Sequence, residues 1–293
     1  MLNKILYIIV SIFLYVIICQ SQAVFRHGVF YHHSTGLNIW GTSMVGAATT
    51  VPSEIAKFNR THGLIGVDSF RIVERAFPIG TYSSNNEWYL WDSAFVIGNL
   101  INAKILDSLP SYDIIMIKTC FPASDMTTAT LWGQASDTLT PTYKSNYNYK
   151  WHWRRIINVM KSHPDKFFVI WTNPPPAFST PVAGAPSAFQ QARGLRSHYF
   201  SKWAKDTLAA GLDTSFGAFP KNVYVFDIFH KYENPIWHVA DTIYTKTLAD
   251  AHPNAACTNL VAPQLVIEVL NAVINQSTVT PIYPSSNILI KIR

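Results

Sequence analysis

The chain has 293 residues, of which 48% are hydrophobic and 14% are charged, and its formal net charge is +6. This composition excludes a disordered chain, and the length suffices for one large α/β domain with a sizeable core. The basic residues between 150 and 161 have the spacing of a solvated helix face, and no other basic stripe occurs. Nucleic acid is therefore not expected as a partner.

The first 23 residues have the pattern of a secretory signal peptide. Met1-Leu2-Asn3-Lys4 gives a basic start, residues 5–19 form an uncharged apolar run, and Ser21 and Ala23 give a small-x-small pattern. We expect cleavage after Ala23 and a secreted or periplasmic mature chain. The alternative is an uncleaved anchor, although the run is short for a membrane span. We identify no later run apolar enough to cross a bilayer, so no membrane association is expected after cleavage.

The first element of the mature chain is a short apolar strand from Gly28 to His33, which ends at Ser34-Thr35-Gly36. The carboxyl end of a parallel strand opens onto a crevice, and the helix that follows offers free N–H groups to a developing negative charge. A serine here is placed as a nucleophile would be in an α/β enzyme. The alternative is that Ser34 or Thr35 only caps the helix.

Strands and helices then alternate along the chain. Strands are predicted over residues 69–73, 113–120, 166–173 and 222–229, and helices around 52–58 and over 92–109, 151–163, 187–208 and 260–274. Continuous apolar runs such as 113–120 are typical of strands buried on both faces of a parallel sheet. The pattern predicts one α/β domain over residues 24–276, with a mostly parallel five-stranded sheet and helices on both faces. The tail, residues 277–293, is either an edge strand or a remnant of a secretion signal.

A second chemical motif, Asp250-Ala251-His252, precedes the last predicted helix. A neutral imidazole can take a serine proton, and a carboxylate can hold its other ring nitrogen. Each motif alone is compatible with a structural role, in which Asp250 caps a turn and His252 lies at the surface. Their joint occurrence at the two ends of one α/β domain favours a Ser34–His252–Asp250 triad. Asp227, at the end of the last strand, is the alternative acid.

Here the chain resembles the SGNH, or GDSL-like, serine esterases. The resemblance rests on His33-Ser34-Thr35-Gly36 and on Asp250-x-His252-Pro253-Asn254, with residues 118–124 and 172–175 similar to strand-end segments of a divergent bacterial branch. It implies a three-layer α/β/α, flavodoxin-like fold. It also implies hydrolysis of an ester, often an acyl group on a carbohydrate, without a metal or organic cofactor.

The resemblance also implies an oxyanion hole made of the nucleophile N–H, a glycine N–H after the second strand and an asparagine side chain after the third. This chain has no Gly-x-Asn-Asp after the third strand. The candidate donors are therefore the N–H of Ser34, Gly80, Ser124 and Asn38. Lys118, at the end of the third strand, contributes a charge to this site if its chain turns outward, but the favoured expectation is a strand-end lysine paired at the surface.

Removal of the signal peptide leaves Cys120 and Cys257. They form either one disulfide or two buried free thiols, because sequence gives no distance between them. No Cys/His group has the spacing of a zinc site, and the adjacent His32 and His33 point to opposite faces of a strand. No metal is predicted.

The sequence thus predicts an exported serine esterase whose substrate is a small ester or an acylated glycan. The alternative is a non-catalytic glycan-binding module on the same fold. Four aromatic residues either line a sugar-binding crevice or pack in the core: Trp40, Trp88, Tyr89 and Trp91.

Overall fold

The computed structural model describes residues 24–77, 87–97, 111–127, 130–179 and 184–278. The predicted signal peptide, most of the helix predicted over 92–109, the oxyanion candidate Gly80 and the tail beyond residue 278 lie outside these ranges.

The core of the domain is a five-stranded sheet in which every pair of neighbouring strands is parallel. The strands are β1 (His27–His32), β2 (Arg71–Ala76), β3 (Ile114–Ile117), β4 (Phe167–Trp171) and β5 (Val223–Phe226), in the order β2-β1-β3-β4-β5. This is the flavodoxin-like order, in which the chain reverses direction across the sheet beside β1. The predicted fold class is confirmed, and the sheet is parallel throughout.

Helices cover both faces of this sheet. They are α1 (Thr35–Trp40), α2 (Val51–Thr61), α3 (Glu87–Asp92), α4 (Asn146–Lys161), α5 (Ala188–Lys202), α6 (Phe229–Tyr232) and α7 (Ala255–Thr278). Two of them continue as wider π-helical turns, α3 over Ser93–Ile97 and α5 over Trp203–Leu208. Side chains of α1, α2 and α7 share one buried cluster, and those of α3, α4 and α5 share another.

Successive side chains along a central strand belong alternately to these two clusters. On β3, Ile114 and Met116 belong to the cluster of α7, whereas Ile115 and Ile117 belong to the cluster of α4. All four side chains are fully buried. This is the expected result for a strand whose side chains alternate between two covered faces, and it explains the continuous apolar run in the sequence.

Helix α7 is more apolar than expected. Among the described residues, one helix, Ala255–Gln276, is long and apolar enough to cross a membrane by length and composition alone. The expectation that no such run follows the signal peptide is therefore wrong. Val261, Leu265 and Val269 of this helix are buried in the core with α2 and the sheet. Packing inside the domain therefore accounts for the buried half of this apolar stretch.

A small antiparallel hairpin, which the sequence pattern did not predict, leads into α7. Its strands are β6 (Thr245–Thr247) and β7 (Asp250–Pro253). Thr247 pairs with Asp250 across the turn. The hairpin carries both members of the second chemical motif on β7.

Candidate active site

Ser34 lies in the turn between β1 and α1 with an unusual backbone conformation. Its φ is 51° and its ψ is −106°, a region that residues other than glycine rarely adopt and that costs free energy. Gly36 makes the turn possible, because a Cβ at this position would stand 2.4 Å from the Cβ of His32. The tight turn presents the Ser34 hydroxyl at the carboxyl edge of the sheet, as a strained strand-to-helix elbow does.

The alternative role of these hydroxyl groups, capping α1, does not occur. The Ser34 side chain makes no capping hydrogen bond to α1. Thr35 is fully buried, and its Oγ1 lies 3.1 Å from Cys120 Sγ. The hydroxyl of Ser34 is consequently left for another partner.

That partner is His252. Ser34 Oγ is hydrogen-bonded to His252 Nε2, across 218 positions of sequence, and His252 Nδ1 is hydrogen-bonded to Asp250 Oδ1. The backbone N–H of His252 also donates to Asp250 Oδ1 at 3.0 Å, which holds the carboxylate beside the ring. The structure thus brings the three predicted residues into one chain of hydrogen bonds, at the carboxyl end of β1. The alternative acid, Asp227, instead bonds to His230.

The partners of His252 change its acid–base properties. Hydrogen bonds to Cys120 and Asp250 raise the pKa of His252 above its ordinary value of 6.5, although burial lowers it. Burial raises the pKa of Asp250, but the N–H and ring of His252 outweigh this and lower it overall. Both shifts favour an ion pair of carboxylate and imidazolium, which is the state reached when an imidazole accepts a proton.

Cys120 is a member of this site that the sequence analysis considered only as a disulfide candidate. Burial raises the pKa of its thiol, but the nearby charge of Lys118 opposes this, and the pKa is held well below its usual range. Hydrogen bonds to the thiol from the side chains of His252, His33 and Ser34 act in the same direction. The sulfur atom therefore lies among the groups around the nucleophile. Its position directly after β3 was the available signal.

Lys118 is placed differently from the prediction. Its side chain is 1% exposed, so the expectation of a lysine paired at the surface is wrong. Its Nζ makes no hydrogen bond within the described part of the chain. Burial and the charge of Lys118 together lower the pKa of His32 to about 3. A buried ammonium group of this kind has the sign that favours negative charge at the ends of β1 and β3.

The predicted side-chain oxyanion donors are engaged elsewhere. The hydroxyl of Ser124 is fully buried and donates to the carbonyl of Pro174. The amide of Asn38 donates to the carbonyl of Pro253 at 3.1 Å. The structure therefore does not support either side chain as a donor beside Ser34, because Ser124 is bonded to a carbonyl that follows β4 and Asn38 to a carbonyl at the end of β7. Gly80 lies outside the described residues.

The remaining candidates from the sequence, two cysteines and four aromatic residues, are mostly buried in the core. Cys120 and Cys257 are both buried and form no disulfide with each other, so of the two alternatives the one with two buried thiols holds. Trp40, Trp88 and Trp91 are at most 3% exposed, which is the core packing alternative rather than a sugar-binding crevice. Tyr89, half-buried, has its ring 6.3 Å from that of His152.

Comparison with solved structures finds four similar chains, three of which are described below. The chain is similar to an acetyl xylan esterase, AlAXEase, at 12% identity and a TM-score of 0.45, covering 83% of this chain and 99% of that one. It is similar to a candidate acylhydrolase from Bacteroides fragilis at 13% identity and a TM-score of 0.38, covering 84% and 88% of the two chains. It is also similar to the salicylyl-acyltransferase SsfX3 from a tetracycline biosynthetic pathway, at 11% identity and a TM-score of 0.36, covering 84% and 55%.

No protein-family model and no curated protein matches the sequence. The main structural features of the chain are a flavodoxin-like sheet and, at its carboxyl edge, a serine, a histidine and an aspartate linked by hydrogen bonds.

Proposed function

We propose that the chain is a serine hydrolase of the SGNH type that cleaves a small ester, with an acyl group on a carbohydrate as the preferred substrate. The observation that carries the proposal is the hydrogen-bonded chain from Ser34 through His252 to Asp250. The preference for a carbohydrate ester rests on the resemblance of the sequence motifs to the SGNH esterases.

In the proposed mechanism Ser34 Oγ attacks the ester carbonyl while His252 Nε2 accepts its proton. Asp250 holds the ring in the required tautomer and stabilises the imidazolium. The imidazolium then gives the proton to the leaving alcohol, and an acyl group remains on Ser34. Water, deprotonated by His252, releases the acid and restores the serine. The Ser34 N–H, at the start of α1, is the donor proposed for the oxyanion.

The experiment compares turnover of a chromogenic acetyl ester by the wild-type protein, Ser34→Ala and Ser162→Ala. Ser162 is exposed at the end of α4 and serves as the matched control. We expect Ser34→Ala to lose about 10³-fold or more and the control to keep its rate. A fluorophosphonate probe should label Ser34, as mass spectrometry of the peptide would show. Wild-type turnover at the background rate, without labelling, would reject the hydrolase.

A second candidate is a non-catalytic glycan-binding module. It is favoured by one observation, the engagement of Ser124 and Asn38 with backbone carbonyls, since an esterase needs preorganised donors at its oxyanion. For a binding module we expect background turnover together with saturable binding of an acylated oligosaccharide. For the esterase we expect release of the acyl group from that oligosaccharide.

We also propose that the chain is exported, on the evidence of its basic start and the apolar run of residues 5–19. Amino-terminal sequencing of the protein recovered outside the cytoplasm tests this. A mature terminus at Val24 is expected, and recovery of the chain only inside the cell would reject export.

A further inference from the structure

A second cluster of histidines and carboxylates lies beyond the carboxyl end of β5, apart from the Ser34 site. His198 of α5, His230 of α6 and Glu233, directly after α6, each direct one potential metal-ligand atom to a common point. Asp227 and His238 lie against this group. The side chains are between 10% and 30% exposed, so that the cluster is shielded by the fold but open to solutes.

The hydrogen bonds of His230 determine where its lone pair points. Asp227 Oδ2 lies 2.6 Å from His230 Nδ1, and because a carboxylate only accepts, this nitrogen donates. In the neutral ring the other nitrogen, Nε2, then carries the lone pair. It faces His198 Nδ1 at 3.2 Å and Glu233 Oε1 at 3.7 Å. Acceptors thus converge on one point, which a proton or a cation must occupy.

The spacing of these atoms fits a transition-metal ion. Four ligands at about 2.0–2.1 Å from a tetrahedral zinc ion stand about 3.3–3.4 Å from one another. His198 Nδ1 is 3.2 Å from His230 Nε2 and also 3.2 Å from Glu233 Oε2. The carboxylate on the far side of His230 completes the arrangement in which an outer carboxylate orients a histidine ligand.

His238 lies beside Glu233 at the edge of this cluster. Its Nδ1 is buried and lies 3.5 Å from Glu233 Oε2, which is too long for a good hydrogen bond. The backbone of His238 has a φ of 56°, a left-handed value that residues other than glycine adopt uncommonly. Gly194 of α5 permits the approach of this loop, because a Cβ there would stand 2.1 Å from the His238 carbonyl oxygen. The loop is thus held where the His238 imidazole faces Glu233.

We propose that His198, His230 and Glu233 form a binding site for a divalent transition-metal ion, with zinc as the ion that this donor set favours. Imidazole nitrogens with one carboxylate suit zinc better than calcium or magnesium, which prefer sets of oxygen atoms. The ion joins α5 to α6 and the residue that follows it, and Asp227 orients His230 towards it. The site is independent of the proposed hydrolase function, because none of its members belongs to the Ser34–His252–Asp250 chain.

The test is calorimetric titration of the chelator-treated protein with zinc chloride, with thermal unfolding in parallel. We expect one equivalent of zinc to bind and to raise the unfolding temperature, because a ligand that binds the folded state stabilises it. X-ray absorption of the loaded protein should show nitrogen and oxygen neighbours at about 2.0–2.1 Å.

Three variants make the assignment specific. Glu233→Gln keeps the shape of the side chain and should abolish binding of the single equivalent, whereas Asp227→Asn should weaken it by about 10- to 100-fold. The matched control is His27→Ala, at the exposed amino-terminal end of β1, which should bind zinc as the wild type does. Circular dichroism verifies that each variant is folded.

The proposal is overturned if the wild type binds no saturable equivalent of zinc, or if folded Glu233→Gln binds it with wild-type affinity. In either case the cluster holds a shared proton instead of a metal ion.

Discussion

Two histidines, His252 and His152, are each held by an aspartate through the same ring nitrogen, but they differ at the other nitrogen. His152 Nδ1 lies 2.7 Å from Asp92 Oδ2, and its Nε2 lies 2.8 Å from the carbonyl oxygen of Pro141. Both nitrogens face acceptors, and the side chain is fully buried. His252 instead directs Nε2 at the Ser34 hydroxyl and is 25% exposed.

The comparison shows that an aspartate–histidine pair does not by itself mark a catalytic site. Both ring nitrogens of His152 already face acceptor oxygens, so neither is directed at a hydroxyl group. Arg155 further fixes Asp92 by donating to both of its oxygens at 3.1 Å. These contacts of Asp92 connect α3 to α4, and their role is to stabilise the packing of the two helices. What distinguishes His252 is a hydroxyl partner and access from solvent.

The largest difference between the two histidines is expected when each is replaced by alanine, beginning with His252. His252→Ala should lower turnover of a chromogenic ester by about 10³-fold or more, because Ser34 loses its base. The unfolding temperature should change little, since the side chain is partly exposed. Steady-state kinetics with thermal unfolding measure both. Wild-type turnover by a folded His252→Ala protein would contradict the proposed mechanism.

Replacing the acid should have the next largest effect. Asp250→Asn should reduce turnover by about 10²- to 10⁴-fold, because the amide no longer fixes the tautomer of His252. Asp241→Asn is the control, since Asp241 is a helix-capping residue whose carboxylate accepts from the N–H of Ile243 and an asparagine can replace it. If Asp227→Asn lowers turnover more than Asp250→Asn does, the acid has been wrongly assigned.

At the structural histidine, the effect should appear in stability. His152→Ala should lower the free energy of unfolding by about 3–5 kcal/mol, because it leaves a buried carboxylate with one partner fewer. Turnover per folded molecule should stay near the wild-type value. Urea denaturation followed by tryptophan fluorescence measures the loss. The control is His27→Ala, at an exposed position, which is expected to remain within about 0.5 kcal/mol of the wild type. A stable His152→Ala protein that has lost turnover would reverse the two roles.

The smallest effect concerns pH. Since the pKa of His252 is raised above 6.5, turnover, which needs neutral imidazole, should rise as pH increases through that higher pKa. The charged His252 ring also stabilises the folded protein. This stabilisation is fully present below pH 6.5 and is lost as pH rises through the folded-state pKa of His252. Turnover therefore rises over the same pH range in which this part of the stability is lost. A pH–rate profile measures the midpoint. A midpoint at or below 6.5 would contradict the shift.

Features that depend on residues close together in the chain could be predicted from the sequence. Apolar runs such as 113–120 predicted the buried strands, because side chains on both faces of a parallel sheet must be apolar. Asp250 and His252 were found because two residues of one strand suffice for their contact. Ser34 was recognised from its place between a strand and a glycine.

The remaining features depend on contacts between distant segments. Cys120 and Lys118 belong to the site because β3 lies beside β1 in the sheet. The spacing of residues in the sequence does not show which strands are neighbours. Ser124 is turned away by the carbonyl of Pro174, 50 residues later. His198 and His230 are 32 residues apart and lacked the regular spacing by which zinc sites are recognised in sequences.

The backbone of Ser34 has a consequence for protein engineering. A glycine would adopt its φ of 51° and ψ of −106° without the penalty that a side chain imposes. A library selected only for thermal stability should therefore enrich glycine at position 34, and the variants that unfold at the highest temperature would lack the hydroxyl group. Stabilising this protein by directed evolution would require a screen that rewards ester hydrolysis and heat resistance at the same time.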